Sequence, residues 1–255
     1  MARFNTQLIK INLRYLPKPE EYRLTEIFAA ASLPAFVSKA DVASTSQKGK
    51  IFSVQDTAQG AFFDQPLLDA NVDLQNNDVV LDGYFQSGKN MAALRKFLYQ
   101  EHVIKNSPLM NSIPVLPRGT VVVHYRMGDY LKPDVQREIG LVNLSYLDMA
   151  IEKLWDQSQE LLLFSDGEEI KKRYQSRAGI RVMFGQSADE TYKILLGAST
   201  LIIPNSTFSL TAAYLSSKIE TLCRPVQWSR RYLHDDLTQD FAAKEVRITN
   251  NFYPI

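Results

Sequence analysis

The chain has 255 residues, of which 45% are hydrophobic, and its formal net charge is +1. The apolar content is enough for a folded core, and the even charge argues against a binder of DNA or RNA. The single cysteine, Cys223, excludes an internal disulfide framework, and the three histidines argue against a histidine-built metal centre. No apolar run approaches the roughly 20 residues of a membrane helix, and the first ten residues do not resemble a secretion signal.

In the first half of the chain, residues 8–13 alternate apolar and polar side chains, which predicts a strand. A short helix is predicted at residues 18–28. Residues 42–78 show no clear period and are predicted to form loops with short pieces of structure. A brief buried strand is predicted at residues 79–81. The apolar residues that follow are spaced to share one face of a helix: Met91, Leu94, Leu98 and Val103.

Residues 106–120 hold three prolines and few regular signals. Such a stretch is typical of a domain boundary. It predicts a division of the chain into residues 1–117 and residues 118–255.

The second half of the chain alternates short apolar strands with amphipathic helices. The strands are predicted at residues 121–125, 161–164, 180–184, 201–203 and 219–223. Helices are predicted at residues 144–155, from Ser187 to about Leu196, and at residues 210–215. Asp166 with Glu169 and Ser187 with Glu190 each resemble a capping box at the start of a helix. This alternation predicts a doubly wound parallel sheet, in which ligands bind at the carboxyl ends of the strands.

The first motif at such a strand end runs from His124 to Asp129. Strand side chains alternate, so His124 and Arg126 project to the same face. Gly128 permits a sharp turn, and the guanidinium of Arg126 is a fork of donors suited to a phosphate or pyrophosphate. The alternative is an Arg126–Asp129 pair that only closes the loop, with His124 as a satisfied core residue.

The second motif, Ser165 to Glu169, lies at a strand-to-helix junction. Asp166 is of a residue type that often caps a helix N-terminus. Its carboxylate would equally suit hydrogen bonds from the base or ribose of a nucleotide. The residues leave both interpretations open, and one side chain can cap while Ser165 contacts a ligand.

The third motif, residues 205–209, is a polar turn before a predicted helix. A helix N-terminus offers free N–H groups and the positive end of the helix dipole, which together attract phosphate. The hydroxyls of Ser206, Thr207 and Ser209 would add donors. The alternative is a redundant capping loop. No GxxxxGK[ST] segment occurs, so this phosphate site would not be a P-loop.

The fourth motif follows the brief strand at residues 79–81. Tyr84, Phe85 and Gln86 place aromatic faces beside an amide, a combination that suits carbohydrate. The alternative is aromatic packing between domains. The sequence has no DxD, HExxH, GxSxG or strand-linked GxGxxG segment, which argues against common metal, serine-hydrolase and nicotinamide sites.

In this order the four motifs resemble those of the α-1,2-fucosyltransferases, glycosyltransferase family 11. HYRMGDY (residues 124–130) resembles that family's HxRRxDY segment, and LDGYFQS (81–87) resembles its GY[FW]QS segment. LLLFSDGEEIKKRY (161–174) is similar to its FSDD-type strand end. LLGASTLIIPNSTFSLTAAYLS (195–216) is similar to its NSTFSWWGAWL segment. The resemblance extends in register from Val79 to Trp228.

The resemblance implies an α/β, GT-B-like fold with two Rossmann-like lobes. Residues 1–117 would form the acceptor-side lobe and residues 118–255 the lobe that binds the nucleotide sugar. Fucose would pass from GDP-fucose, with inversion and without a metal or other cofactor, to the 2-hydroxyl of a galactose. The candidate catalytic residues are Arg126, His124 and Asp129. The candidate donor-binding residues are Arg126, Asp166, Asn205, Ser206, Thr207, Phe208 and Ser209, and the candidate acceptor-binding residues are Tyr84, Phe85 and Gln86.

Three departures from the family pattern bear on function. Met127 replaces the second arginine of the first motif, which would remove a positive charge near the phosphates. Residues 210–211, Leu-Thr, replace a Trp-Trp pair. The opening GGxGNQ segment of the family is absent from this sequence, which is expected of a shortened chain or a divergent member.

The alternative function is therefore a nucleotide-binding pseudoenzyme or an inactive fragment. A phosphoryl-transfer or hydrolytic enzyme is a weaker third candidate.

The resemblance also implies partners and a location. The partners would be GDP-fucose and a galactose-terminated oligosaccharide or lipid-linked glycan, as in O-antigen or lipopolysaccharide synthesis; no nucleic-acid partner is expected. The membrane anchor of animal relatives is absent from the sequence, so a bacterial, cytoplasmic protein is expected. A lipid-linked acceptor would add peripheral contact with the inner membrane face.

Overall fold

A computed structural model describes residues 108–230 and 241–254, together with short segments before them. Those segments are three strands and a few helical positions between residues 91 and 99. The chain divides into two compact units, Met1–Asn111 and Ser112–Ile255. This division falls inside the proline-containing stretch 106–120. The helix predicted at residues 18–28 lies outside the described residues, as do Leu94, Leu98 and Val103.

The first unit contains a small parallel sheet. Its strands are β1 (Lys10–Ile11), β2 (Ile51–Gln55) and β3 (Asp78–Asp82), in the order β1-β3-β2. The strand predicted at residues 8–13 is described for two residues, and the one predicted at residues 79–81 is longer by one residue at each end. Sequence analysis missed β2 as a separate strand because the long polar segment around it shows no period. The unit ends with a short helix, α1 (Pro108–Asn111).

The second unit alternates strands and helices along the chain. Its strands are β4 (Val121–His124), β5 (Leu161–Ser165), β6 (Ile180–Phe184), β7 (Thr200–Ile202), β8 (Thr221–Pro225) and β9 (Lys244–Ile248). Its helices are α2 (Pro133–Glu138), α3 (Leu144–Leu154), α4 (Glu168–Tyr174), α5 (Ala188–Gly197) and α6 (Thr207–Leu215). A 3-10 helix, Gly128–Leu131, follows β4. Sequence analysis did not predict β9, α2 or the 3-10 helix.

All six strands of this sheet run parallel, in the order β6-β5-β4-β7-β8-β9. The chain enters at β4, adds β5 and β6 on one side, then reverses and adds β7, β8 and β9 on the other. The predicted doubly wound parallel sheet of an α/β fold is thus confirmed. In such sheets the reversal leaves a crevice outside the carboxyl ends of the two strands where it occurs. Here those strands are β4 and β7.

Every side chain of β4 and β5 is buried, as expected of strands covered by helices on both faces. On one face, Val121 and Val123 belong to a core cluster that also contains the buried side of α3. That side consists of Tyr146, Leu147, Ala150 and Ile151. On the other face, α5 packs on β4 and against α6. Each fully buried large apolar side chain of this kind stabilises the fold by about 1.5–3 kcal/mol.

The two predicted capping boxes have different outcomes. At α5 the box is confirmed, because the Ser187 hydroxyl accepts from the Glu190 N–H and the Glu190 carboxylate accepts from the Ser187 N–H. At α4 the prediction is wrong. The N-cap is Gly167, and no side chain caps the helix. Asp166 instead accepts a hydrogen bond from the Met127 N–H, in the loop after β4.

Candidate functional site

The loops that follow β4 and β7 meet where the strand order reverses. The Tyr130 hydroxyl, in the 3-10 helix after β4, donates to the Asn205 carbonyl oxygen at 2.7 Å. The rings of His124 and Phe208 lie 5.4 Å apart between centroids. The first and third sequence motifs therefore share one edge of the sheet. We call this edge, with residues 124–129, Asp166 and residues 205–209, the switch-point site.

The second motif joins the same edge through Asp166. Its Oδ1 accepts a hydrogen bond from the Met127 N–H at 2.7 Å. The contact links the β5–α4 junction directly to the loop after β4. Asp166 is exposed, but one of its oxygens is used inside the protein. The site residues predicted in the second unit thus gather at one edge, whereas Tyr84, Phe85 and Gln86 lie outside the described residues.

Arg126 forms the ion pair that sequence analysis considered. Its Nη2 lies 3.2 Å from Asp129 Oδ2, and Lys132 Nζ lies 3.1 Å from Asp129 Oδ1. The Asp129 side chain is 49% exposed, so such a pair contributes at most about 1 kcal/mol. Two cations share this carboxylate. A pair this weak can be replaced when an anionic ligand binds Arg126.

Two buried polar atoms at the site lack a hydrogen-bond partner. They are Nδ1 of His124 and Oδ1 of Asn205. His124 is 6% exposed and Asn205 is 2% exposed, and the Asn205 amide nitrogen donates to the Gly140 carbonyl oxygen at 2.7 Å. A buried polar group without a partner costs about 1–3 kcal/mol. Unsatisfied atoms on both sides of the strand reversal indicate a place for a polar ligand.

The imidazole of His124 is neutral near pH 7. Its pKa is lowered from 6.5 to about 4, mainly by burial and also by the nearby charge of Arg126, while Asp166 opposes the shift. A neutral imidazole offers one donor and one acceptor and adds no positive charge. His124 therefore suits a hydrogen bond to a ligand better than charge neutralisation.

The lowered pKa of His124 predicts a loss of stability in acid. Below pH 6.5 the unfolded chain takes up a proton that the folded protein binds only near pH 4. The free energy of unfolding should therefore fall by about 3 kcal/mol as the pH drops through this window. The His124→Gln variant should not show this decrease. Urea unfolding of the parent protein and the variant should therefore give free energies of unfolding whose difference shrinks as the pH falls from 6.5 to about 4. A difference that does not vary with pH contradicts the prediction.

The turn after β7 leads directly into a helix start. α6 begins at Thr207, three residues earlier than predicted, and its N-cap Ser206 makes no side-chain capping bond. The first bond of the i→i−4 pattern is from the Leu210 N–H to the Ser206 carbonyl. The N–H groups of the first turn precede it and are not capped by Ser206. The hydroxyl of Ser209, by contrast, is fully buried and donates to the Ser206 carbonyl oxygen at 3.2 Å.

Met127 does not face the switch-point site. Its side chain is 4% exposed and belongs to the core cluster. A Cβ atom at Gly167 would collide with Met127 Sδ. The Met127 side chain therefore packs in the core beside the start of α4. The expectation that the replacement of an arginine by Met127 removes a charge beside the phosphates stays a prediction.

Within residues 108–230 and 241–254 and the short earlier segments, no three His, Cys, Asp or Glu side chains are grouped as metal ligands. In the same part of the chain, no helix combines the length and apolar character that crossing a membrane requires.

Comparison with known proteins identifies a family for this chain. The family model described as glycosyl transferase family 11 matches residues 69–244, a range that contains all four motifs. No curated protein and no solved structure matches the chain.

Proposed function

The chain belongs to glycosyl transferase family 11, and from this premise we propose that it transfers L-fucose from GDP-fucose to the 2-hydroxyl of a galactoside. Membership in the family implies a fucosyltransferase with a nucleotide-sugar donor and a glycan acceptor. The donor, acceptor and linkage named here are the finer proposal. The observation that supports it is that the loop after β4, which includes Arg126, contacts the turn before α6 through Tyr130 and Asn205.

The chemistry of a diphosphate fits this edge. Arg126 offers a fork of N–H donors, and the first turn of α6 offers backbone N–H groups and the positive end of the helix dipole. The unpartnered atoms of His124 and Asn205 offer further hydrogen bonds. Ser206, Thr207 and Phe208 would line the donor phosphates. The buried hydroxyl of Ser209 would act by holding the turn, since it is already bonded within it.

In the proposed reaction, a single displacement inverts the configuration at the fucose C1 atom. The bond from C1 to the β-phosphate oxygen breaks as the bond from C1 to the galactose 2-oxygen forms. Negative charge then builds on the departing phosphate, and the donors fixed around it stabilise that charge. The proton of the galactose 2-hydroxyl passes to water, so the products are the fucosylated galactoside, GDP and one proton. Asp129 would keep Arg126 oriented, and His124 would hydrogen-bond to the donor in its neutral form.

The acceptor side of the proposal rests on the sequence. Tyr84 and Phe85 would stack on a galactose ring and Gln86 would bind its hydroxyls. The acceptor would be a galactose-terminated oligosaccharide or a lipid-linked glycan of surface polysaccharide synthesis. We propose a cytoplasmic location with peripheral contact at the inner membrane face for a lipid-linked acceptor.

An activity assay tests the proposed function. The purified protein is incubated with GDP-fucose and a galactoside, with GDP-mannose as the matched control donor. GDP release together with a product fucosylated at the galactose 2-oxygen is expected, and only with GDP-fucose. A chelator should leave the rate unchanged. GDP binding without product would instead favour the pseudoenzyme, and a folded protein with neither binding nor product contradicts both candidates.

A further inference from the structure

The β5–α4 junction, Asp166 and Gly167, fastens the loop that carries Arg126. We propose that Asp166 is a positioning residue for Arg126 and does not itself bind the donor. This inference rests on the proposed function, in which Arg126 binds the donor diphosphate. It replaces the expectation from sequence that the Asp166 carboxylate contacts the base or ribose of a nucleotide.

The backbone of Arg126 is held on both sides by the end of β5. On one side, the Ser165 hydroxyl donates to the Tyr125 carbonyl oxygen at 2.7 Å. On the other side, the Met127 N–H donates to Asp166 Oδ1 at 2.7 Å. These two bonds fix the peptide groups that flank Arg126. The Arg126 side chain therefore extends from a fixed backbone position at the sheet edge.

The second oxygen of Asp166 also lies against this loop. A Cβ atom at Gly128 would lie 2.6 Å from Asp166 Oδ2, so only glycine lets the carboxylate approach this closely. One oxygen is thus bonded at residue 127 and the other rests on residue 128. The Asp166 carboxylate therefore holds the loop backbone at residues 127 and 128.

Packing beneath the junction supports the same role. The absence of a side chain at Gly167 leaves room for Met127, whose sulfur occupies that space. The Gly167 N–H donates to the Ser165 hydroxyl at 3.1 Å, which ties the junction to the strand end. The loop is therefore held both by the hydrogen bond to the Asp166 carboxylate and by the packing of Met127 against Gly167.

Ligand binding separates positioning from direct contact. Calorimetry is performed with GDP and with guanosine, which lacks the phosphates that Arg126 would bind. In Asp166→Ala, GDP binding should weaken by about tenfold or more while guanosine binding stays within about twofold. In Asp166→Asn, which keeps an oxygen acceptor for the Met127 N–H, GDP affinity should be largely retained. If the alanine variant weakens GDP and guanosine by the same factor, Asp166 contacts the nucleoside and the inference is overturned.

Asp156→Ala is the matched control. Asp156 also accepts a backbone hydrogen bond, from the Ser158 N–H at 2.9 Å, but it precedes β5 and so lies at the opposite end of that strand. Its substitution should leave the binding of both ligands unchanged. Thermal unfolding of all variants checks that each is folded under the conditions of the titration.

A second measurement does not depend on nucleotide. Amide hydrogen exchange at Met127 should be faster in Asp166→Ala than in the parent protein, and Asp166→Asn should restore protection. Unchanged exchange in the alanine variant overturns the inference even if the protein is an active transferase. Absence of GDP binding by the parent protein would count against the proposed function, whereas the exchange result would still decide whether Asp166 holds the loop.

Discussion

An Arg126→Ala variant is expected to lose about 10²–10³-fold in kcat for fucosyl transfer, the typical effect of removing one donor that stabilises developing negative charge. The proposed role of Arg126 is to meet the charge that grows on the departing diphosphate. Arg126→Lys keeps the charge but not the planar fork, so it should recover only part of the rate. Initial rates of GDP release at saturating donor measure the effect.

Arg181→Ala is the matched control for this experiment. Arg181 is also an arginine paired with a carboxylate, at 3.0 Å from Glu160, and its side chain is 59% exposed. It lies on β6 and does not contribute to the switch-point site, so its substitution should leave kcat nearly unchanged. A fully active Arg126→Ala variant would show that the diphosphate is held elsewhere.

Glu245→Ala is expected to destabilise the protein by about 3 kcal/mol, because it removes a carboxylate that contacts a buried guanidinium. Arg224 on β8 is fully buried, and its Nε lies 2.5 Å from Glu245 Oε1 on β9. A second hydrogen bond runs from Arg224 Nη1 to the Pro225 carbonyl oxygen. That bond remains in the variant. Urea unfolding at neutral pH measures the loss.

Glu160→Ala provides the comparison. It breaks an ion pair of the same residue types, Arg181 with Glu160, in which the side chains are 59% and 41% exposed. An exposed pair contributes at most about 1 kcal/mol, so this variant should unfold close to the parent protein. Equal stability of the two glutamate variants would mean that Arg224 does not depend on Glu245.

The strands located best from the sequence are short, mostly apolar runs bounded by turn residues. β6 was predicted with its exact bounds, and β4 and β5 to within one residue, because such runs are typical of strands in a parallel sheet. β9 was missed because Lys244–Ile248 begins with charged residues and lies at the sheet edge. Its place depends on pairing with β8, which no local pattern reveals.

At the candidate site, the strand ends could be found from local sequence patterns, whereas the contacts between them depend on the tertiary fold. The motif residues of the second unit could be assigned to strand ends, and the parallel sheet then brings those ends to one edge. The partner of Asp166 could not be predicted, because the Met127 N–H that it accepts from belongs to a different strand end. The burial of Met127 against Gly167 could not be predicted either, because a sequence motif gives the residue type at a position but not the direction of its side chain.

The reversal of strand order has a consequence for how the protein acquires its binding capacity. β4 pairs with β5, the next strand in the chain, but it also pairs with β7, whose Thr200 lies beside Val121 only after a long crossover. Closing that longer loop is the slower event on general grounds. A folding intermediate that contained only β4, β5 and β6 would present Arg126 without the turn at Asn205. Nucleotide affinity should therefore emerge late in refolding, after most of the secondary structure has formed.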